Sequence, residues 1–275
     1  MPRIFQTQVT NHSLPMNRNL VISIVGDESV HRTWLAGTEP RSFDLCLVYF
    51  GDRWDQWAGD GQYYLRRKGI KYQLLYDLFQ DELAHLVEEY DRFWLPDDDV
   101  AADTGTVNRL FALAAKHRLQ ICQPAIGRGD VSFEATRAHA GYTLRYTRFV
   151  EIMCPLFTRK ALVRAMPLFA ANKSAWGIDW VWSSLFREDE VGIVDAAAVH
   201  HTRPLKAGGV HARLQSMGVD PGAEHAALMQ QYGIRNRRFH RRIVRDTARL
   251  RGLDVAGNEV WTCSRWQDWF GRKAA

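Results

Sequence analysis

Three consecutive aspartates, Asp97, Asp98 and Asp99, form the stretch of this sequence best suited to chemistry. They follow an apolar run at residues 93–95, which predicts the end of a buried strand, and Pro96, which cannot continue a central strand. Adjacent carboxylates repel one another unless they are exposed or neutralised by a cation. The Asp-x-Asp spacing would let two carboxylates bind one divalent ion whose other ligands are water and substrate phosphates. An acidic loop that caps the following helix is the alternative.

Three further residues could take part in the same chemistry because each lies at or near the end of a predicted element. Glu151 lies in an apolar run, Asp179 opens a predicted helix, and His201 ends the last strong strand pattern. Each also has a structural explanation: Glu151 could pair with an arginine such as Arg148, Asp179 could only favour the helix dipole, and His201 could be structural. No Walker A, Gly-x-Gly-x-x-Gly or Gly-x-Ser-x-Gly motif is present, which disfavours P-loop, Rossmann-type and serine-hydrolase sites.

The elements that must position these residues alternate between strands and helices. Near-continuous apolar runs predict interior strands at residues 19–26, 43–50, 119–126, 148–158 and 191–201. Helical spacing of apolar residues predicts helices at residues 73–89, 104–117 and 159–170, with a further helix opening at 176–179. This alternation predicts a layered α/β fold whose ligand crevice lies outside the carboxyl ends of its strands.

The composition fits an enzyme-sized globular protein. The 275 residues are 46% hydrophobic, which supports a sizeable core and argues against general disorder. We expect no secretory signal and no membrane span, because residues 1–18 are polar and no apolar run is long enough. Three of the four scattered cysteines lie in apolar runs and are expected to be buried free thiols, which fits a cytoplasmic location.

The C-terminal quarter differs from the rest, and we predict a catalytic domain over residues 1–205 followed by a helical extension over 206–275. Eight arginines and one acid lie within residues 235–251, which makes the segment more basic than the whole chain at +5. The segment could be a solvated face or could dock on anionic lipid, whereas a nucleic-acid partner is disfavoured. Trp261, Trp266 and Trp269 suit a helix that either packs on the core or docks on a membrane or partner.

Five sequence blocks, in order, resemble the domain-of-unknown-function family 707, which is regarded as related to glycosyltransferases of the GT-A fold. The resemblance covers about residues 71–205 and is carried by the acidic triplet with its aromatic flank at 93–99, by segments 119–125 and 149–159, by Trp176-Gly177-Ile178-Asp179, and by 191–195 with His201. Plant-type members have Trp-Asp-Glu-Asp where Leu95-Pro96 precede the triplet here. Thr202-Arg203-Pro204 also replaces a glycine-containing turn.

The resemblance implies a mixed, mainly parallel GT-A-like sheet flanked by helices and a metal-dependent glycosyltransferase. Asp97, Asp99 and His201 would hold Mn²⁺ or Mg²⁺ against the diphosphate of a nucleotide sugar, with a UDP-sugar as the expected donor. Asp98 would contact the ribose or orient the loop. The remaining donor-binding residues implied by the fold are Gly26, Asp27, Tyr49, Asp52 and, at a phosphate, Lys71.

On the acceptor side the resemblance implies that Asp179 is the base and that Glu151 binds acceptor or donor-sugar hydroxyls. A carboxylate base would imply inversion at the anomeric carbon. The acceptor would be a saccharide or a glycolipid, with the enzyme at the inner face of a membrane. The alternatives are a metal-dependent nucleotidyltransferase or phosphoesterase and a non-catalytic module that binds a nucleotide or glycan.

Overall fold

The computed structural model describes residues 17–53, 55–205, 214–235 and 249–263. Strands alternate with helices over most of this length. The strands are β1 (Asn19–Val25), β2 (Asp44–Tyr49), β3 (Tyr63–Arg66), β4 (Arg92–Trp94), β5 (Val100–Ala101), β6 (Ile121–Arg128), β7 (Tyr142–Tyr146), β8 (Leu156–Thr158), β9 (Val191–His201), β10 (Arg249–Asp254) and β11 (Glu259–Cys263). The helices are α1 (Lys71–Gln80), α2 (Ala84–Glu89), α3 (Thr104–Lys116), α4 (Arg159–Phe169), α5 (Ile178–Trp182) and α6 (Pro221–Gln231), with 3-10 turns at His31–Leu35, Glu134–Thr136 and Glu188–Glu190.

The described strands form one mixed sheet in the order β11-β10-β7-β9-β6-β8-β4-β1-β2-β3, and β5 pairs with β9. β1 is parallel to β2 and β4, β2 is parallel to β3, and β6 is parallel to β9. β8 is antiparallel to both β4 and β6, so β4 and β6 run in the same direction. The carboxyl ends of β1, β2, β3, β4, β6 and β9 therefore meet at one edge of the sheet.

Two apolar layers cover the two faces of the sheet. One core cluster joins strand residues to α1, α2, α4, α5 and α6, and the other joins them to α3 and the 3-10 turn at His31–Leu35. Local sequence fixes several helix ends: Asp103 accepts a hydrogen bond from the backbone N–H of Thr106, and Thr158 accepts one from that of Ala161. The expected mixed α/β sheet with flanking helices is confirmed.

Some predicted boundaries differ from the observed ones. The single helix predicted over 73–89 is two helices, because the backbone of Asp81 leaves the helical conformation (φ −133°, ψ −99°). The strand predicted over 148–158 is observed only as β8; the preceding residues are buried but irregular. Cys46, Cys122 and Cys154 are buried free thiols, as expected.

The C-terminal extension is only partly helical. α6 packs on α5, where the rings of His225 and Trp180 lie 5.0 Å apart. β10 and β11 form a hairpin that pairs with β7 through β10. Trp261 lies in β11, so the prediction of a helix at this residue is wrong. Trp261 is 68% exposed, which contradicts core packing there. Most of the arginine-rich segment, together with Trp266 and Trp269, lies outside the described residues, so docking on a membrane or partner and the domain boundary stay predictions.

No helix within the described ranges is both long enough and apolar enough to cross a lipid bilayer.

Candidate active site

The aspartate loop is fixed to the sheet edge by hydrogen bonds that its backbone makes on both sides. Ser23 Oγ of β1 donates to the carbonyl of Pro96 at 2.9 Å. The backbone N–H of Asp97 donates to the carbonyl of Met153 at 2.8 Å, in the segment before β8. The strand β4 ends at Trp94, two residues before Pro96, and these bonds hold the three carboxylates that follow Pro96 in place. The triplet does not cap α3, because Asp103 does so.

Asp98 joins the ends of β1 and β9. Its carboxylate accepts a 2.8 Å hydrogen bond from the backbone N–H of Gly26 and another, also 2.8 Å, from Arg203 Nη1. Its carbonyl accepts from the backbone N–H of Val30 at 2.8 Å. Only 12% of the side chain is exposed. These contacts connect the aspartate loop to the residues that follow β1 and β9, and contact of Asp98 with a ribose stays a prediction.

Asp99 and His201 face each other across the sheet edge. His201 Nε2 lies 3.5 Å from Asp99 Oδ2. Burial raises the pKa of Asp99, but the hydrogen bond and positive charge of His201 outweigh it and hold the pKa below its ordinary value. The same contact raises the pKa of His201 to about 9, although burial opposes it. Asp99 Oδ1 is buried and has no hydrogen-bond partner in the described part of the chain.

The loop after β6 fixes the ring of His201. His201 Nδ1 lies 3.0 Å from the carbonyl oxygen of Asp130. Because a carbonyl oxygen only accepts hydrogen bonds, Nδ1 must carry the proton and donate it, which leaves Nε2 for Asp99 or a ligand. The close approach depends on Gly129, whose φ is +86° and whose missing Cβ would lie 1.9 Å from the carbonyl oxygen of His201. No L side chain fits there without moving the loop.

Lys71 is a clamp inside the protein. Its ammonium donates to Asp97 Oδ1 at 2.7 Å and to the carbonyls of Ile152 and Met153 at 3.0 Å each. An ammonium has three N–H donors, so all of them are used. Only 17% of the side chain is exposed. The predicted contact between Lys71 and a donor phosphate is therefore disfavoured by the geometry, and Asp97 already has a cation.

Residues 150–154 carry Glu151 in an irregular, buried stretch held mainly by side chains of other elements. Buried backbone polar groups need partners, and here side chains rather than a neighbouring strand supply them. This is why the strand pattern failed over this stretch. The partners lie 2.6–3.1 Å from the backbone atoms they bond and are Ser183 Oγ, Trp182 Nε1, Gln123 Oε1, Tyr72 Oη, Lys71 Nζ and Trp94 Nε1.

Glu151 and Asp179 form a buried carboxyl pair beside this clamp. Burial raises the pKa of Glu151 to about 7, with partial compensation by a hydrogen bond from Ser132. Burial and the nearby charge of Glu151 raise the pKa of Asp179 well above its ordinary value. Glu151 Oε2 is a further buried oxygen without a partner in the described residues. Arg148, the arginine suggested as a partner of Glu151, forms an ion pair with Glu188.

The residues predicted to bind a nucleoside do come together at the ends of β1 and β2. Tyr49 donates a short hydrogen bond to Asp27, which lowers the pKa of that carboxyl. The backbone N–H of Asp52 lies 3.4 Å from Asp27 Oδ2, and the Asp52 side chain pairs with Lys68 at the surface. Through Gly26, this group touches Asp98. Whether it binds a nucleoside stays a prediction.

With this geometry in view, the sequence comparison identifies a family. Residues 82–249, more than half of the chain, match the family described as "Protein of unknown function (DUF707)". The chain belongs to DUF707. The predicted family resemblance is therefore confirmed. No match to a curated protein sequence was found.

Solved structures show partial similarity to this DUF707 chain. TarS of S. aureus is 8% identical with a TM-score of 0.44, over 79% of this chain and 43% of that chain. A structure of TarS 1–349 is 12% identical with a TM-score of 0.43, over 67% of this chain and 60% of that one. A197 from STIV is 12% identical with a TM-score of 0.35, over 65% and 82%. This chain thus spans less than half of the TarS chain in the first comparison.

The donor set of the DUF707 chain fits a divalent ion held by few protein ligands. The described residues contain no group of three or more His, Cys, Asp or Glu side chains arranged to hold a metal. Asp99, with its unpartnered Oδ1, and His201, with Nε2 directed by the Asp130 carbonyl, fit an ion that takes most of its ligands from water and phosphate. Asp97 fits less well because Lys71 occupies it.

The sequence did not point to several residues that shape this site. Gln123 accepts from the backbone N–H of Glu151, and Ser132 bonds its carboxylate. Arg203 contacts two members of the acidic triplet. A signal existed only for Arg203, at the position where the chain departs from the family's glycine-containing turn.

Proposed function

We propose that this DUF707 protein is a metal-dependent glycosyltransferase that moves a sugar from a nucleotide-sugar donor to a saccharide or glycolipid acceptor. The observation that carries the proposal is a pair of buried carboxylate oxygens, Asp99 Oδ1 and Glu151 Oε2, that lack partners in the described residues. Buried carboxylates are costly unless something binds them. One lies on the acidic triplet and the other in the clamped segment beside it, which suits a donor and an acceptor bound next to each other.

On the donor side, Asp99 and His201 would hold the metal together with the diphosphate of the nucleotide. When bound, a divalent cation stabilises the negative charge that grows on the leaving diphosphate. The protein's own part is to fix geometry: Asp130 orients His201, and Asp98 ties the triplet to β1 and β9. Mn²⁺ suits imidazole better than Mg²⁺ does.

On the acceptor side, the buried pair Glu151 and Asp179 supplies the base. A base must be ionised at the working pH, and a pKa of about 7 gives Glu151 an ionised fraction at neutral pH. Asp179, which the sequence indicated as the base, would keep its proton, because its pKa is raised well above the ordinary value. Glu151 would accept the proton of the attacking acceptor hydroxyl. A single displacement of this kind inverts the anomeric carbon.

Thermal unfolding with nucleotide sugars tests the donor site. Wild type, Asp99→Asn and a matched control, Asp103→Asn, would be heated with UDP-, GDP-, CMP- and ADP-sugars, with and without MnCl₂. Asn replaces Asp well as a helix cap, so the control should behave as wild type. A ligand at 100 times its dissociation constant stabilises the fold by about 2.7 kcal/mol. We expect a Mn²⁺-dependent shift with one nucleotide family that Asp99→Asn loses.

The outcomes separate the rival activities. No shift with any donor and either metal condition would overturn the proposal. A shift followed by release of nucleotide or phosphate without sugar transfer would favour a nucleotidyltransferase or phosphoesterase. Binding without any turnover, unchanged in Glu151→Gln, would indicate a non-catalytic module.

A further inference from the structure

Arg203 lies in a turn that is fixed to the candidate metal site. Thr202 donates to the carbonyl of Asp99 from both its backbone N–H and its Oγ1, at 2.9 Å each. Three residues after Thr202, the backbone N–H of Leu205 donates to Asp130 Oδ2 at 3.1 Å. The residue at position 203 is therefore held between the acidic triplet and the loop that orients His201.

The guanidinium of Arg203 is oriented but not saturated. Nη1 donates to Asp98 Oδ1 at 2.8 Å, and Nη2 donates to the carbonyl of Glu28 at 2.8 Å. These two contacts fix the plane of the group. A guanidinium has five N–H donors, and described residues accept hydrogen bonds from only two of its nitrogens. The remaining N–H groups are therefore available to a ligand. The side chain is 36% exposed, about twice the 17% of Lys71.

The charges around Arg203 and the shape of its guanidinium favour the binding of an anion with several oxygens. Arg203 Nη1 lies 3.9 Å from Asp99 Oδ2, next to the carboxylate proposed to hold the metal. Asp98, Asp99 and Glu28 would repel a free diphosphate, so an anion approaching this edge needs a cation with spare donors. Lys71 cannot serve because its three donors are used. The planar fork of a guanidinium matches two phosphate oxygens at once.

We propose that Arg203 binds the phosphate oxygens of the nucleoside diphosphate at the end of β9. This inference rests on the proposed donor site and assigns its diphosphate contact to Arg203 instead of Lys71. The adenine, guanine or uracil base would be bound elsewhere, so Arg203 would recognise the charged part of the donor only.

Binding measurements on matched nucleotides test this assignment. UDP, GDP and ADP, each beside its nucleoside, would be titrated by calorimetry into wild type, Arg203→Met, Arg203→Lys and Arg109→Met, all with MnCl₂. Arg109 is a suitable control because it is an exposed arginine that donates to one backbone carbonyl, of Ala196 at 3.0 Å, away from the site. Thermal unfolding of each variant would establish that it is folded.

We expect Arg203→Met to weaken binding of the diphosphate about 20-fold and to leave nucleoside binding unchanged, a difference in proportion to a charge-assisted hydrogen bond. Arg203→Lys should recover only part of this loss, because lysine keeps the charge but not the fork. Arg109→Met should bind as wild type. Equal diphosphate affinity in wild type and Arg203→Met would overturn the inference while the donor site stands. A wild type that binds none of the diphosphates would also overturn the inference, and it would overturn the donor site as well if no nucleotide sugar, CMP-sugars included, shifts the unfolding temperature.

Discussion

Lys71 and Arg203 each donate a hydrogen bond to one aspartate of the same triplet, yet their surroundings give them different roles. Lys71 donates to Asp97 at 2.7 Å and to two backbone carbonyls, which uses all three hydrogens of its ammonium. Arg203 donates to Asp98 at 2.8 Å and to one carbonyl, which leaves part of its guanidinium available. The number of unused donors, and not contact with the motif, distinguishes a structural cation from a binding cation.

The two sides also differ in what they hold. The Lys71 side fixes the carbonyls next to Glu151, so it keeps a buried carboxylate in one position without solvent. The Arg203 side ties together loops at the ends of β1 and β9, and the Arg203 side chain is itself more exposed than that of Lys71. We therefore expect substitutions on the Lys71 side to change mainly the stability of the protein and its dependence on pH. Substitutions on the Arg203 side should change mainly the binding of ligands.

The largest expected effect is the dependence of stability on the ionisation of Glu151. Its pKa is raised from an ordinary 4.5 to about 7, so the folded protein binds an extra proton between these values. The stabilisation from that proton is full below pH 4.5 and is lost as pH rises through 7, a change of about 3 kcal/mol. Glu151→Gln should remove this dependence, and urea unfolding from pH 4.5 to 8 would measure it.

Activity should show the opposite trend for the same group. If ionised Glu151 accepts the acceptor proton, the transfer rate should rise with pH through about 7. Glu88→Gln is the matched control, since Glu88 lies on the exposed side of α2. Parallel pH curves for wild type and Glu151→Gln would show that the buried side is not the source of the dependence.

Removing each cation in turn compares the two sides directly. Lys71→Met should lower the free energy of unfolding by about 2 kcal/mol, because it removes an ammonium that donates to Asp97 and to the carbonyls of Ile152 and Met153 in a buried segment. Arg203→Met should cost less than about 1 kcal/mol, since Arg203 is more exposed than Lys71 (36% against 17%) and Asp98 keeps its hydrogen bond from the backbone N–H of Gly26. Denaturant unfolding of both variants, with Lys160→Met as an exposed control on α4, would decide. Equal losses would contradict the distinction.

The sequence predicted those parts of the site that local patterns determine. An apolar run followed by Pro96 placed the aspartates at a strand end, and the long pattern ending at His201 placed the histidine at the same edge. Parallel strands bring their carboxyl ends together, so these residues were expected to meet. The saturation of Lys71 was not predictable, because its carbonyl acceptors lie about 80 residues away in sequence.

The sequence failed where backbone partners are distant side chains or strands. The apolar run before β8 has the composition of a strand, but side chains of several other elements take its backbone hydrogen bonds. β10 contains arginines typical of an exposed helix, yet Arg251 lies over the rings of Tyr146 and Trp261 and its strand pairs with β7. Both outcomes depend on tertiary partners that override local propensity.

The smallest expected effect is on the affinity for Mn²⁺ when either Asp97 or Asp99 is replaced. If Lys71 occupies Asp97, then Asp97→Asn should change Mn²⁺ affinity less than threefold, whereas Asp99→Asn should weaken it about tenfold, or about 1.4 kcal/mol. Electron paramagnetic resonance of free Mn²⁺ measures both constants without any turnover, and Asp103→Asn provides the control. Equal losses in the two variants would mean that Asp97 leaves Lys71 to bind the ion. Lys71 would then be a displaceable counter-ion of the metal site, and the contrast with Arg203 would fail.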